Sequence, residues 1–121
     1  YTDSARAAVY TGMFRVAEDD LTAGMSVIAD AVFGRTNQSA SIADVARHAG
    51  VDFTGIWLEL SEGERISRIE HREADASDAD ADVARRQTAA LEPPSGEWRR
   101  VESSGDIATV VAACGFDDVT N

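Results

Sequence analysis

The sequence predicts an α/β domain whose strands pair in parallel, and three observations carry that prediction. Short apolar runs alternate with stretches of helical period. The runs are apolar on both parities, as strands covered on both faces are. Gly24, Gly50, Gly115 and the Pro93-Pro94 pair each close a helical stretch. Buried strands alternating with helices give right-handed crossovers and a parallel sheet with helices on both faces. At 121 residues the chain has room for one domain and not for two ordinary ones.

The elements follow in order. Residues 3–23 read as a helix: Asp3 can cap it, Ala5, Val9, Met13, Ala17 and Leu21 recur every four residues, and Tyr10 and Phe14 widen that stripe before Gly24. The run Ser26-Val27-Ile28-Ala29-Asp30 is short, apolar and β-branched, and reads as a buried strand ending on a carboxylate. A second helix spans about residues 37–49, with Ile42, Val45, Ala46 and Ala49 on one side and Gly50 after them. Residues 53–60, through Ile56, Trp57 and Leu58, read as a second strand covered on both faces. Ser61-Glu62-Gly63-Glu64 fits a capping box and opens a helix to about Arg72. The polar residues 73–82 lead to a helical stretch over 82–90, residues 98–102 can form a third strand, and Ser104 or Asp106 opens a last helix ending at Gly115. The order is α-β-α-β-α-α-β-α. About three strands are few for a doubly covered parallel sheet, and the chain opens directly on a helix, so the domain is expected to be N-terminally incomplete.

Composition excludes several chemistries. The chain carries 22 acidic and 11 basic residues, net charge −11, and all the basic residues are arginine. Without lysine there is no Schiff-base or general-base lysine and no complete phosphate loop of the G-x-x-x-x-G-K-[ST] type. The acidic balance excludes extended contact with nucleic-acid backbone. No apolar run is long enough to span a membrane and no signal peptide is visible in these residues, which start at Tyr1 rather than Met; a cytoplasmic location is the expectation. One cysteine makes no internal disulfide, and Cys114, His48 and His71 lie too far apart in sequence for a four-ligand zinc set. Cys114 and Trp57 read as core residues, His48 and His71 as surface groups, and Trp98 as core or as an aromatic able to stack on a base.

Three places can carry chemistry. Asp30 ends a strand, where ligands of open α/β sheets gather; such an acid holds a hydrated Mg²⁺ or accepts a proton, or else caps the next turn. Arg65, Arg68 and Arg72 form one helical stripe suited to gripping phosphate, or to pairing with Glu62, Glu64 and Glu73. Arg85 and Arg86 form a second cluster beyond the polar segment, and both clusters can close over one anion if that segment is a flap. The polar segment imitates a calcium loop counted from Asp78, but Val83 stands where glycine is required and Ala89 where the bidentate glutamate belongs.

The segments from Ala23 to Phe33 (AGMSVIADAVF) and from Ala49 to Glu59 (AGVDFTGIWLE), then Arg72 followed by Asp75-Ala76-Ser77-Asp78-Ala79, occur together and in this order. In that joint order the chain resembles the C-terminal two-thirds of bacterial P-loop ATPases. These are the AAA-family domains often fused behind an aminoglycoside-phosphotransferase-like domain, similar to zeta-toxin and gluconate-kinase type kinases. The resemblance runs over nearly the whole chain. It implies a three-layer P-loop NTPase-like fold, ATP and Mg²⁺ as ligands, and phosphoryl transfer to a small-molecule acceptor, with a phosphotransferase-like domain fused upstream.

On that pattern Asp30 lies beside the transfer site as an indirect Mg²⁺ ligand or acceptor-binding carboxylate, and Arg35 faces the acceptor. Arg68 and Arg72 open a lid over residues 73–82, shaped by Asp75, Ser77 and Asp78, and Arg85 or Arg86 completes its far side. Lid arginines of this kind neutralise charge on the transferred phosphoryl oxygens. The resemblance also implies a strand and phosphate loop ahead of Tyr1, so residues 1–121 are expected to be a partial domain that binds ATP weakly or not at all alone. The alternative from a different class is a non-catalytic α/β module that presents the arginine stripe to an acidic partner or completes another subunit's sheet. A shortened pseudo-kinase retained for nucleotide sensing is a third reading.

Overall fold

A computed structural model of the chain describes residues 2–59, 70, 91–103 and 105–115. They belong to two compact units: Tyr1–Phe53 with Pro93–Ser95, and Thr54–Glu92 with Gly96–Asn121. The expected helices over 61–72 and 82–90 and the expected lid over 73–82 lie outside the described residues, apart from helical Glu70.

The first unit is built on two helices, α1 (Asp3–Thr22) and α2 (Thr36–Ala49), packed against each other. Thr2, not Asp3, caps α1: its Oγ1 accepts the Ala5 N–H at 3.1 Å, and Asp3 sits in the first turn, where its charge complements the helix dipole. Gly24 closes α1 with φ 86°, so that the Gly24 N–H reaches the Leu21 carbonyl and the Met25 N–H the Asp20 carbonyl, each at 3.0 Å. That pair of bonds requires a left-handed residue, which glycine supplies without a steric cost. Ala17, Phe33, Ile42 and Ala46 are buried here, as is Pro94, and Ser39 is buried with its hydroxyl donating to the Thr36 carbonyl at 3.1 Å. Val9, placed by its spacing on the inward stripe, is instead 62% exposed.

Residues 25–30 are the main departure from the expected order. They form no strand, and Ile28 is 95% exposed. A strand exists through its ladder, and these residues have no ladder partner among the described residues. Apolar, β-branched composition supplies the propensity and not the neighbour. Asp30 therefore ends an irregular run rather than a buried strand.

The second unit holds the sheet: β1 (Ile56–Glu59) and β2 (Arg99–Glu102) pair in parallel, with Ile56 opposite Arg99 and Glu59 opposite Glu102. The parallel pairing is as expected, with two strands in place of three among the described residues. The ladder continues at both ends, where Arg99 N–H donates to the Gly55 carbonyl and Ser103 N–H to the Glu59 carbonyl, each at 2.8 Å. Glu59 and Glu102 are like charges side by side, and Arg100, on the same face two residues before Glu102, places its guanidinium 3.2 Å from the Glu59 carboxylate.

Val101 is buried on the other face, while Leu58 beside it is 57% exposed, so β1 is not covered on both sides as its apolar run suggested. Trp57 is only half-buried. The last helix, α3 (Ile107–Cys114), packs beside β2 and is capped by Asp106, whose carboxylate accepts the Thr109 N–H at 2.7 Å. At its other end the Arg99 guanidinium donates to the carbonyls of Cys114 and Gly115 at 3.0 and 3.3 Å, and the Cys114 side chain is buried.

Candidate functional site

Of the residues to which chemistry was assigned, the described structure contains Asp30 and Arg35. Arg68, Arg72, Asp75, Ser77, Asp78, Arg85 and Arg86 lie outside the described residues. Asp30 and Arg35 stand at the two ends of one short loop in the first unit, which carries the chain from the irregular run into α2. Both side chains belong to exposed residues.

Phe33 decides the course of this loop. It adopts φ 48°, the only described residue other than glycine with positive φ, and it is 5% exposed. Left-handed backbone costs an L-residue about 1–2 kcal/mol, and a bulky side chain there needs specific support. Tyr10 on α1 supplies it. Its hydroxyl accepts the Phe33 N–H at 3.0 Å, and its ring meets the Phe33 ring edge-on at 5.7 Å and 66°. Phe14, one turn along α1, lies 6.1 Å from the Tyr10 ring.

Arg35 opens α2. Its N–H donates to the Gln38 side-chain oxygen at 3.1 Å, and its carbonyl accepts from the N–H groups of Gln38 and Ser39 at 3.0 and 3.2 Å. The cap is therefore made by the Arg35 backbone and the Gln38 amide, because a guanidinium has no acceptor with which to cap a helix. The electropositive end of α2 and the Arg35 charge both belong to this loop, a combination that favours anions.

Beside the irregular run lies an open groove of about 400 Å³, lined by Gly12, Met13, Val16, Ala17 and Asp20 of α1 and by residues 26–29. Sequence reasoning missed this groove, and it missed the tie between Tyr10 and Phe33, residues 23 apart in the chain. The one signal was Tyr10 widening the α1 stripe. Among the described residues no cluster of three or more His, Cys, Asp or Glu side chains is placed to hold a metal ion, and His48 is exposed.

Among the described residues, a parallel strand pair and the helices α1, α2 and α3 make a small α/β structure consistent with a P-loop-like fold. Residues 1–94 match the family model described as AAA domain, and the chain belongs to that family of P-loop, kinase-like domains. As a family such domains bind ATP and Mg²⁺. No curated protein and no solved structure matches the chain. No helix among the described residues is long and apolar enough to cross a membrane.

Proposed function

We propose that residues 1–121 are the C-terminal part of an ATP-dependent phosphotransferase, a P-loop small-molecule kinase or ATPase of the cytoplasm. The observation that carries this reading is the AAA-domain match over residues 1–94. Asp30 is the carboxylate beside the transfer site, Arg35 faces the small-molecule acceptor, and Arg68, Arg72, Arg85 and Arg86 close over the phosphates on a lid shaped by Asp75, Ser77 and Asp78. The 121 residues contain no lysine, so the lysine of the phosphate loop comes from outside them, and the chain alone is inactive.

Asp30 fits magnesium in one manner only. Mg²⁺ keeps several waters and takes one or two carboxylates plus substrate phosphates, so a single exposed carboxylate suits an indirect contact and not a protein cage. When bound, ATP would supply the transferable phosphoryl group and Mg²⁺ would offset the charge of its phosphates. The arginines neutralise charge on its oxygens, while Asp30 orients the acceptor hydroxyl or the metal's water.

The test is ATP turnover by the full-length protein that contains these residues. Asp30→Ala and Arg72→Ala are each expected to lower kcat by about a hundredfold, the scale of losing one charge-stabilising group. Wild-type turnover in one variant removes that residue from the site. Wild-type turnover in both overturns the site assignment. The rival reading, a non-catalytic binding module, is favoured by the exposed, unpaired run at residues 25–30, and a full-length protein without ATP turnover would decide for it.

A further inference from the structure

We propose that Tyr10 is a positioning residue for the loop that carries Asp30 and Arg35, acting through Phe33. This inference rests on the reading of Asp30 and Arg35 as site residues. Tyr10 is fixed in the middle of α1, the longest described helix, and it holds Phe33 twice: by the main chain, through the 3.0 Å bond from Phe33 N–H to its hydroxyl, and by the side chain, through the edge-on ring contact. Phe33 stands three residues after Asp30 and two before Arg35, and its left-handed backbone sets the direction in which the chain leaves one and enters the other. The Tyr10 bond adds to the burial of Phe33 and to the cap at Arg35 in holding a loop that bears two charged groups, and aligning reacting groups in advance is a large part of what an enzyme supplies. The hydroxyl is the part of Tyr10 that fixes the backbone, since the ring contact alone leaves the Phe33 amide without this acceptor.

The experiment uses the full-length protein with Mg²⁺ and ATP, in four forms: wild type, Tyr10→Phe, Asp30→Asn, and the two changes combined. Tyr10→Phe keeps the ring and the fold while deleting the acceptor. Two quantities are read: kcat and KM for ATP, and amide exchange at Phe33. The expected result is that Tyr10→Phe speeds Phe33 exchange by about fivefold to tenfold, the loss of one part-buried hydrogen bond. It also lowers kcat by roughly tenfold with KM for ATP unchanged, and has a clearly smaller effect in the Asp30→Asn background, where only Arg35 is left to be positioned.

A merely structural role would change exchange and thermal stability but would act equally in both backgrounds. If Asp30→Asn lowers kcat and Tyr10→Phe does not, or lowers it by the same factor with and without Asp30, the positioning role is overturned while the site reading stands. If Asp30→Asn leaves kcat at the wild-type value, the site reading itself has failed and this inference falls with it.

Discussion

Gly55 is buried just ahead of β1, with the Trp98 indole lying across its backbone. A Cβ at this position would stand 2.7 and 2.8 Å from two indole carbons and closer still to a third. Carbon atoms rest about 3.5–4.0 Å apart, so Gly55→Ala forces the ring to retreat by roughly 1 Å. The retreat is resisted, because Trp98 precedes Arg99, whose N–H is bonded to the Gly55 carbonyl at 2.8 Å; opening the gap through the backbone weakens the first rung of the ladder. Overpacking of this kind costs about 1–3 kcal/mol. For a chain of this length that corresponds to a fall of about 3–15 °C in the unfolding midpoint.

Gly12→Ala is the matched control. Gly12 lies in the middle of α1 with open space where its Cβ would be, so the same change there raises stability by about 0.5–1 kcal/mol, the helix penalty of glycine relative to alanine. Thermal and urea unfolding followed by far-ultraviolet circular dichroism reads both variants. Adding Trp98→Leu to Gly55→Ala should recover part of the loss, a coupling that a double-mutant cycle measures directly. A Gly55→Ala midpoint at or above wild type would refute the reasoning, as would shifts of the same sign in the two glycine variants.

Arg99→Met keeps an unbranched apolar stem and removes the two bonds to the Cys114 and Gly115 carbonyls, and should lower stability by about 1 kcal/mol in urea titrations; an unchanged midpoint would show that the guanidinium contributes nothing to the end of α3. The backbone N–H of Thr109 holds the Asp106 carboxyl below its usual range, with a further hydrogen-bond contribution from the Thr109 side chain. A carboxylate with a lowered folded pKa stabilises fully above its unfolded value, about 3.9, and its contribution fades as the pH falls through the lower folded value. The acid limb of the stability profile should therefore be shallower in Asp106→Asn than in wild type, as equilibrium unfolding between about pH 5 and pH 2 reads it; identical limbs would remove Asp106 from the acid response.

The sequence made the helices legible because their signals are local. Gly24, Gly50 and Gly115 end them where their spacing suggests, and all three adopt positive φ. β1 was legible for a similar reason, as a short apolar run bounded by turn residues, whereas β2 carries Val101 as its one apolar residue and was read from its place between the Pro93-Pro94 pair and the cap of the last helix. The run at 25–30 carried the same signal as β1 and is not a strand, because pairing depends on a neighbour and not on the run itself. The displaced cap of α1 is a smaller case of the same kind: Thr2 and Asp3 both suit an N-cap, and only the backbone geometry chooses between them.

Of the candidate site, Asp30 was read from its place at the end of an apolar run, and Arg35 only through the family resemblance. The part that shapes their loop was not. No propensity scale anticipates a phenylalanine at φ 48°, and nothing near Phe33 in sequence indicates that its amide bonds a tyrosine on α1. The crowding of Gly55 by Trp98 is equally non-local, although a glycine entering a strand does hint at a close approach.

The irregular apolar run before Asp30 also bears on how the protein behaves in solution. Met25 and Ile28 present apolar surface on backbone with no ladder partner among the described residues, which is the template from which intermolecular β-pairing starts. Asp30 closes that run as a charged gatekeeper, and the net charge of −11 keeps separate copies apart. The net repulsion vanishes as the pH approaches the isoelectric point near 4.4, so self-association should set in there, and earlier for Asp30→Asn, which has one acidic group fewer, than for wild type. The carboxylate to be neutralised in a turnover assay is thus also a guardian of solubility, and rates for its variants are properly normalised to the monomeric fraction measured by light scattering.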